Sequence, residues 1–293
     1  MPVRVSLATP SQPPYTMLTK TFQLIQKIGP KSEERLWQSG IRHWDDLSAP
    51  YPDHLSPAQG AYMAGCLAEA RTHLSCRPGW FLEKLAAREH WRIFPHFRAV
   101  TAYLDIETDG SFANRITTAT IFDGHRIRCF VHGDNLDDLP LALREYDVLI
   151  TYSGKSFDVP VIEKQFGTTL KIAHLDLRYL LAGLGFKGGL KKCEIRLGLD
   201  RGELTGVDGY AAVLLWQIYR RSGKKQALET LLAYNIMDTV NLERLMVEVY
   251  NRNLAATPFR EELGLAMPEP PPLPFSPDPK ILAELRGRYT GGS

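Results

Sequence analysis

Asp105 and Glu107 stand two residues apart in Tyr103-Leu104-Asp105-Ile106-Glu107-Thr108. From Val100 to Asp109 the even positions Val100, Ala102, Leu104 and Ile106 are apolar, while the odd ones are Thr101, Tyr103, Asp105, Glu107 and Asp109. This alternation predicts a strand with one face in a core and two carboxylates side by side on the other. Such a pair repels unless a cation sits between its members. A solvated strand edge with scattered acids is the plainer alternative. Two more segments carry acids. In Thr151-Tyr152-Ser153-Gly154-Lys155-Ser156-Phe157-Asp158, the apolar run Val148-Leu149-Ile150 is a strand, Ser153-Gly154 breaks it, and Asp158 begins a new element. Tyr234 and Asp238 are i and i+4 on an amphipathic segment from Gln226 to about Asn251, whose apolar stripe includes Leu228, Leu231, Leu232, Leu242, Leu245 and Met246. Taken alone, that spacing equally describes a partly buried Tyr beside a surface Asp.

The chemistry such residues suit is phosphodiester hydrolysis. The bond carries negative charge and is a poor electrophile, so its cleavage at neutral pH benefits from two divalent cations about 4 Å apart. Mg²⁺ and Mn²⁺ prefer hard oxygen ligands and keep several waters, which leaves room for phosphate oxygens. Asp105, Glu107, Asp158 and Asp238 are the candidate ligands, with Asp105 bridging both cations.

The three segments, in this order, resemble the DEDD exonucleases of the ribonuclease H-like superfamily, in the Tyr-x-x-x-Asp subgroup. The likeness is closest to the bacterial YprB-like family and runs from roughly Ala99 to Asn251. It extends to His174-Leu175-Asp176-Leu177, Gly188-Gly189-Leu190-Lys191 and Gly206-Val207-Asp208-Gly209. One departure is Ser153, where related exonucleases commonly carry Asn. The resemblance implies a 3′-to-5′ exonuclease that releases nucleoside monophosphates from single-stranded DNA or RNA. Tyr234 would orient the attacking water, since an unperturbed phenol is a poor base near neutral pH. A structure-selective or RNA-processing nuclease on the same fold stays open, as does a nucleic-acid-binding scaffold without activity.

These residues need an α/β frame. Ile116 to Phe122 and Arg126 to Val131 flank Asp123-Gly124, a dipeptide suited to a type I′ hairpin. Leu136 to Tyr146 reads as a helix before the Val148 strand, giving the order β-β-β-α-β of a ribonuclease H-like mixed sheet with flanking helices. The expected organisation is a flexible N-terminus 1–16, a helical domain 17–95, a catalytic domain 96–255 and a Pro-rich tail 256–293. In the helical domain, Phe22 to Ile28 leads through Gly29-Pro30-Lys31 into a second helix from Glu33 to Ser39. This resembles a helix-hairpin-helix element, with Lys27 where the motif usually has its first Gly. Its turn, around Gly29 and Lys31, would meet nucleic-acid phosphates, unless the segment is simply a helical bundle.

Length and charge bound less. A chain of 293 residues with formal net charge +2 is neither acidic enough nor basic enough to argue for or against nucleic acid. Ser153, Lys155, Lys191 and Lys192 are candidate nucleic-acid contacts, and Lys187, Arg220, Arg221, Lys224 and Lys225 extend the basic set. The four cysteines, Cys66, Cys76, Cys129 and Cys193, include no Cys-x-x-Cys pair. With no signal peptide and no long uncharged apolar span, a soluble, reducing, cytoplasmic setting without membrane contact is expected.

Overall fold

β1 (Thr101–Thr108) draws its extended form from β-branched and aromatic residues set between smaller ones. A computed structural model describes residues 16–290 of the chain, so most of the segment expected to form a flexible N-terminus lies outside the described residues. β1 is the middle strand of a five-stranded sheet, joined by β2 (Ile116–Phe122), β3 (Ile127–Val131), β4 (Val148–Thr151) and β5 (Ala173–Asp176) in the order β3-β2-β1-β4-β5. The β1–β2 and β2–β3 pairs are antiparallel, whereas β1–β4 and β4–β5 are parallel. This is the expected mixed sheet.

By compactness the chain divides into two units, Met1–His96 with Leu254–Gly264, and Phe97–Asn253 with Leu265–Ser293. In the second, the even face of β1 contributes Ala102, Leu104 and Ile106 to a core completed by Leu139, Ala142, Leu143 and Ile162. The odd face is covered as well. Helix Gly209–Ser222 packs on β1, and helix Lys225–Leu254 reaches it through Asn235. The sheet is therefore sandwiched between helices, and the centre of the long helix, from Thr230 through Ile236, is buried residue after residue. The amphipathic stripe expected there is a helix submerged on nearly every side.

Two local expectations are corrected. The α-helix in the 136–146 region is confined to Leu139–Leu143, preceded by a 3₁₀ turn Leu136–Asp138. Pro140 explains this, because proline is tolerated only in the first helical turn. In the β2–β3 hairpin Asp123 N donates to Arg126 O, so Gly124 and His125 form the turn. Positive φ occurs at Gly124 and not at His125, the pattern of a type II′ turn rather than type I′. Beyond the sheet, the Pro-rich segment leads into helix Pro279–Thr290, whose Ile281, Leu282 and Leu285 are buried.

The first unit also departs from expectation. Residues 22–28 are turns, not a helix, and the following helix is Pro30–Gln38. The apolar spacing of Phe22, Leu24, Ile25 and Ile28 imitates helical periodicity, but the backbone is held otherwise. Buried Glu33 accepts from Thr21 Oγ1 at 2.7 Å, Phe22 N at 2.7 Å and Gln23 Nε2 at 2.6 Å, and pairs with Arg92 at 3.0 Å. Lys27 adopts φ 69°, the left-handed geometry that glycine favours. Leu254–Gly264 joins this unit, where Phe259 meets the Trp37 ring edge-on at 5.1 Å between centroids.

Candidate active site

β4 pairs with β1 only as far as Tyr103, then ends at Thr151 and turns away. The two parallel strands part there, and the crevice beyond them is where open α/β sheets place ligands. Asp105 and Glu107 lie on the stretch of β1 past the parting. Their cross-strand partners on β2 are Thr120 and Thr118, both fully buried.

The loop leaving β4 is tightly built. Asp176, at the end of β5, accepts from Ser153 N at 2.8 Å, Lys155 N at 3.1 Å and Arg178 N at 3.0 Å. Ser153 has φ 66°. At Gly154 a Cβ would stand 2.2 Å from Thr151 Oγ1, so no side chain fits. This clamp delivers Asp158 as the first residue of helix Asp158–Phe166, and its Oδ1 accepts from Ile106 N at 3.2 Å. The carboxylate thus takes the β1 hydrogen bond that β4 no longer supplies.

Asp105, Glu107 and Asp238 each bring a carboxylate oxygen within 4.8 Å of the others. Asp158 stands just outside that group, near enough for its charge to act on both Asp105 and Glu107. Burial holds the Asp105 carboxyl well above the usual range, and Glu107, Asp238 and Asp158 push it further, with Lys191 opposing. Glu107 is raised likewise, by burial first and then by Asp238. Burial also pushes Asp158 up to about 7, against the hydrogen bonds from its own backbone and Ile106. Crowded hard oxygen donors that resist sharing negative charge are what a divalent cation relieves, so the residues present fit Mg²⁺ or Mn²⁺.

Tyr234 lies one helical turn before Asp238 and is buried. Its hydroxyl accepts a short hydrogen bond from Lys191 Nζ, which also stands 3.3 Å from Asp238 Oδ2. Burial, and then Asp238, Glu107 and Asp105, raise the phenol far above its ordinary pKa. The other oxygen of Asp238 accepts from Arg201, whose guanidinium also donates to Glu194 Oε2 at 2.6 Å, while Asn241 donates to Glu194 Oε1 at 2.7 Å.

The structure therefore brings Lys191 into the acid cluster itself, whereas Lys155 and Lys192 are exposed and Ser153 is half-buried on the β4 loop. Gly29 and Lys31 belong to the other unit. Lys224 pairs with Glu284 at 3.1 Å, and Arg220 lies over the Trp216 ring. Asn235, Asp176, Arg201 and Glu194 carry site geometry that the reading of acids alone did not assign. Asn235 had one signal, a polar side chain in the middle of an otherwise apolar helical stretch.

A mixed sheet whose central strand carries half-buried acids at its parting edge defines the class. A family model described as RNase_H_2, RNase_H superfamily, matches residues 102–250, just over half of the chain, and the chain belongs to that family. No curated protein sequence matches it. Among solved structures, it is similar to the family B DNA polymerase from the hyperthermophilic archaeon Pyrobaculum calidifontis, with a TM-score of 0.41 and 13% identity over 57% of this chain and 27% of the polymerase. Among the described residues no helix is long and apolar enough to cross a membrane.

Proposed function

We propose that the chain is a metal-dependent 3′-to-5′ exonuclease of the DEDD type, Tyr-x-x-x-Asp subgroup, closest to the YprB-like family. The observation that carries this reading is the meeting of Asp105, Glu107 and Asp238 within 4.8 Å, with Tyr234 one turn from Asp238. Asp105, Glu107, Asp158 and Asp238 would hold two divalent cations, Mg²⁺ or Mn²⁺. Bound there, the cations would supply the charge stabilisation and water activation that phosphodiester hydrolysis lacks near pH 7. Tyr234, kept protonated by its surroundings, donates its hydroxyl hydrogen to the attacking water and positions it. Lys191 holds that hydroxyl in place. Half-buried Ser153 and exposed Lys155 and Lys192 of the catalytic unit would contact the single strand of DNA or RNA, and in the first unit, taken by itself, Gly29 and Lys31 would meet phosphates.

One observation favours a second reading. Lys191 and Arg201 already compensate Asp238, as a non-catalytic scaffold that kept its acids would need. Incubation with 5′-labelled DNA and RNA single strands, in Mg²⁺, Mn²⁺ or chelator, separates the two. Stepwise shortening from the 3′ end that chelator abolishes is expected, and Asp105→Asn should remove it while leaving oligonucleotide binding in Ca²⁺ nearly intact. Binding without cleavage would select the scaffold, internal cuts an endonuclease. Undiminished cleavage by Asp105→Asn would place the activity elsewhere.

A further inference from the structure

Asn235 is fully buried in helix Lys225–Leu254, immediately after Tyr234. Its Nδ2 donates to Asp105 Oδ2 at 2.7 Å and to the Asp105 backbone O at 3.1 Å, while its Oδ1 accepts from Thr120 Oγ1 at 2.7 Å. The orientation of the amide is dictated by chemistry. A carboxylate oxygen and a carbonyl oxygen are both acceptors, so both amide hydrogens must point at Asp105, which leaves Oδ1 for the one hydroxyl that can donate. Thr120 is also the β2 partner of Asp105 in register, so the three residues close a ring across β1, β2 and the long helix.

We infer that Asn235 is a positioning residue, which fixes Asp105 in the rotamer that binds the cations and holds it there before they arrive. Without a restraint, Asp105 would swing away from Glu107 and Asp238, whose charges crowd it. The amide opposes that swing on two atoms of one residue. A restraint of this kind lowers the ordering cost at the moment of metal binding, as hydrogen bonds behind metal ligands generally do. Asp105 Oδ1 and the remaining lone pair of Oδ2 stay available. Asp238 is held comparably by Arg201 and Asp158 by Ile106 N, so Asp105, Asp158 and Asp238 each accept from a donor that aims it.

This inference rests on Asp105 being a metal ligand, and its test separates the two ideas. Free Mn²⁺ is titrated by its electron paramagnetic resonance signal against wild type, Asp105→Asn, Asn235→Leu, Asn235→Ala and Thr120→Val, with Tm recorded for each. Asn235→Leu keeps the volume without the donors and should weaken Mn²⁺ binding by roughly 10- to 100-fold, like Asn235→Ala. Thr120→Val, which frees the amide to turn, should weaken it less. At saturating Mn²⁺ the turnover of Asn235→Leu should return to within severalfold of wild type, as expected when positioning and not chemistry is lost. Wild-type Mn²⁺ affinity in Asn235→Leu would overturn the inference and leave Asn235 a packing residue. If Asn235→Leu does not fold, Thr120→Val decides: unchanged affinity there overturns the inference. Wild-type protein that binds no Mn²⁺, or Asp105→Asn that binds it equally well, overturns the ligand reading and the inference with it.

Discussion

The phenol of Tyr234 illustrates how little freedom a buried side chain has among carboxylates. Burial and three neighbouring acids raise its pKa, so between pH 6 and 9 it is a hydrogen-bond donor and never a titrating base. Tyr234→Phe should therefore slow hydrolysis by roughly 10- to 1000-fold, the range for one orienting hydrogen bond of a few kcal/mol in the transition state. The pH–rate curve should drop without moving sideways. A displaced rising limb in Tyr234→Phe would show that the phenol titrates during the reaction, and equal rates would remove it from the site. At this scale the sequence was informative about the acids, because a carboxylate on a core strand is conspicuous by type. It was silent on Arg201, a loop residue that donates to Asp238, and on Glu194, a residue of a short helix that accepts from Arg201, because no periodicity ties either to β1. Asn235 was visible only as a polar interruption, since an amide aimed at a carboxylate looks like any other Asn.

Ser153 shows the same limit for a whole turn. Shorter reach is what distinguishes Ser from Asn by formula, yet the structure finds the residue at φ 66°, with its backbone N–H fixed to Asp176. Asn tolerates the left-handed region better than Ser, so the backbone alone gives a reason for an amide here. Ser153→Asn should raise stability by about 0.5–1 kcal/mol, seen as roughly 1–4 °C in Tm, and Ser153→Val should lower it. Equal melting of Asn and Ser variants would show that the strain is already absorbed by the Asp176 clamp. The strands were legible from β-branched runs and their turns. The segment 22–28 was not, because its apolar spacing fits a helix while Glu33, eleven residues from Phe22, gathers its backbone into turns. Long-range capture of a buried carboxylate leaves no local trace.

Two compact units in one chain allow binding and chemistry to be altered separately. Lys27 and Lys31 are exposed around the turn that enters helix Pro30–Gln38 in the first unit, whereas the acids belong to the second. If the turn meets phosphate, Lys27→Glu with Lys31→Glu should weaken binding of long single strands and flatten its salt dependence by roughly 1–2 in slope, leaving turnover on short substrates unchanged. An unaltered salt slope would return the turn to a purely structural role.

The whole molecule should also register the cost of its acid cluster. Asp105, Glu107 and Asp158 have folded-state pKa values raised above the ordinary carboxylate range, Asp158 to about 7. Between that range and the raised values the folded chain holds protons that the unfolded chain has released, so stability falls as pH rises through this window. His174 works in the opposite direction, since burial pulls its pKa down to about 4 and stability therefore grows as pH rises from there toward the ordinary His value. A difference measurement cancels His174: Tm with Mn²⁺ minus Tm with chelator, taken from pH 5 to pH 8. Cations compete with protons for the same oxygens, so the difference should be near zero at pH 5 and about 5 °C at pH 8 with the metal at a hundredfold its Kd. Asp105→Asn should abolish the difference and, in chelator at pH 8, melt above the wild type, because one of the crowded charges is gone. A metal-induced shift of the same size at both pH values would mean that the bound ion does not replace protons on these carboxylates. A variant that melts below the wild type in chelator at pH 8 would mean that the Asp105 charge is already compensated within the fold.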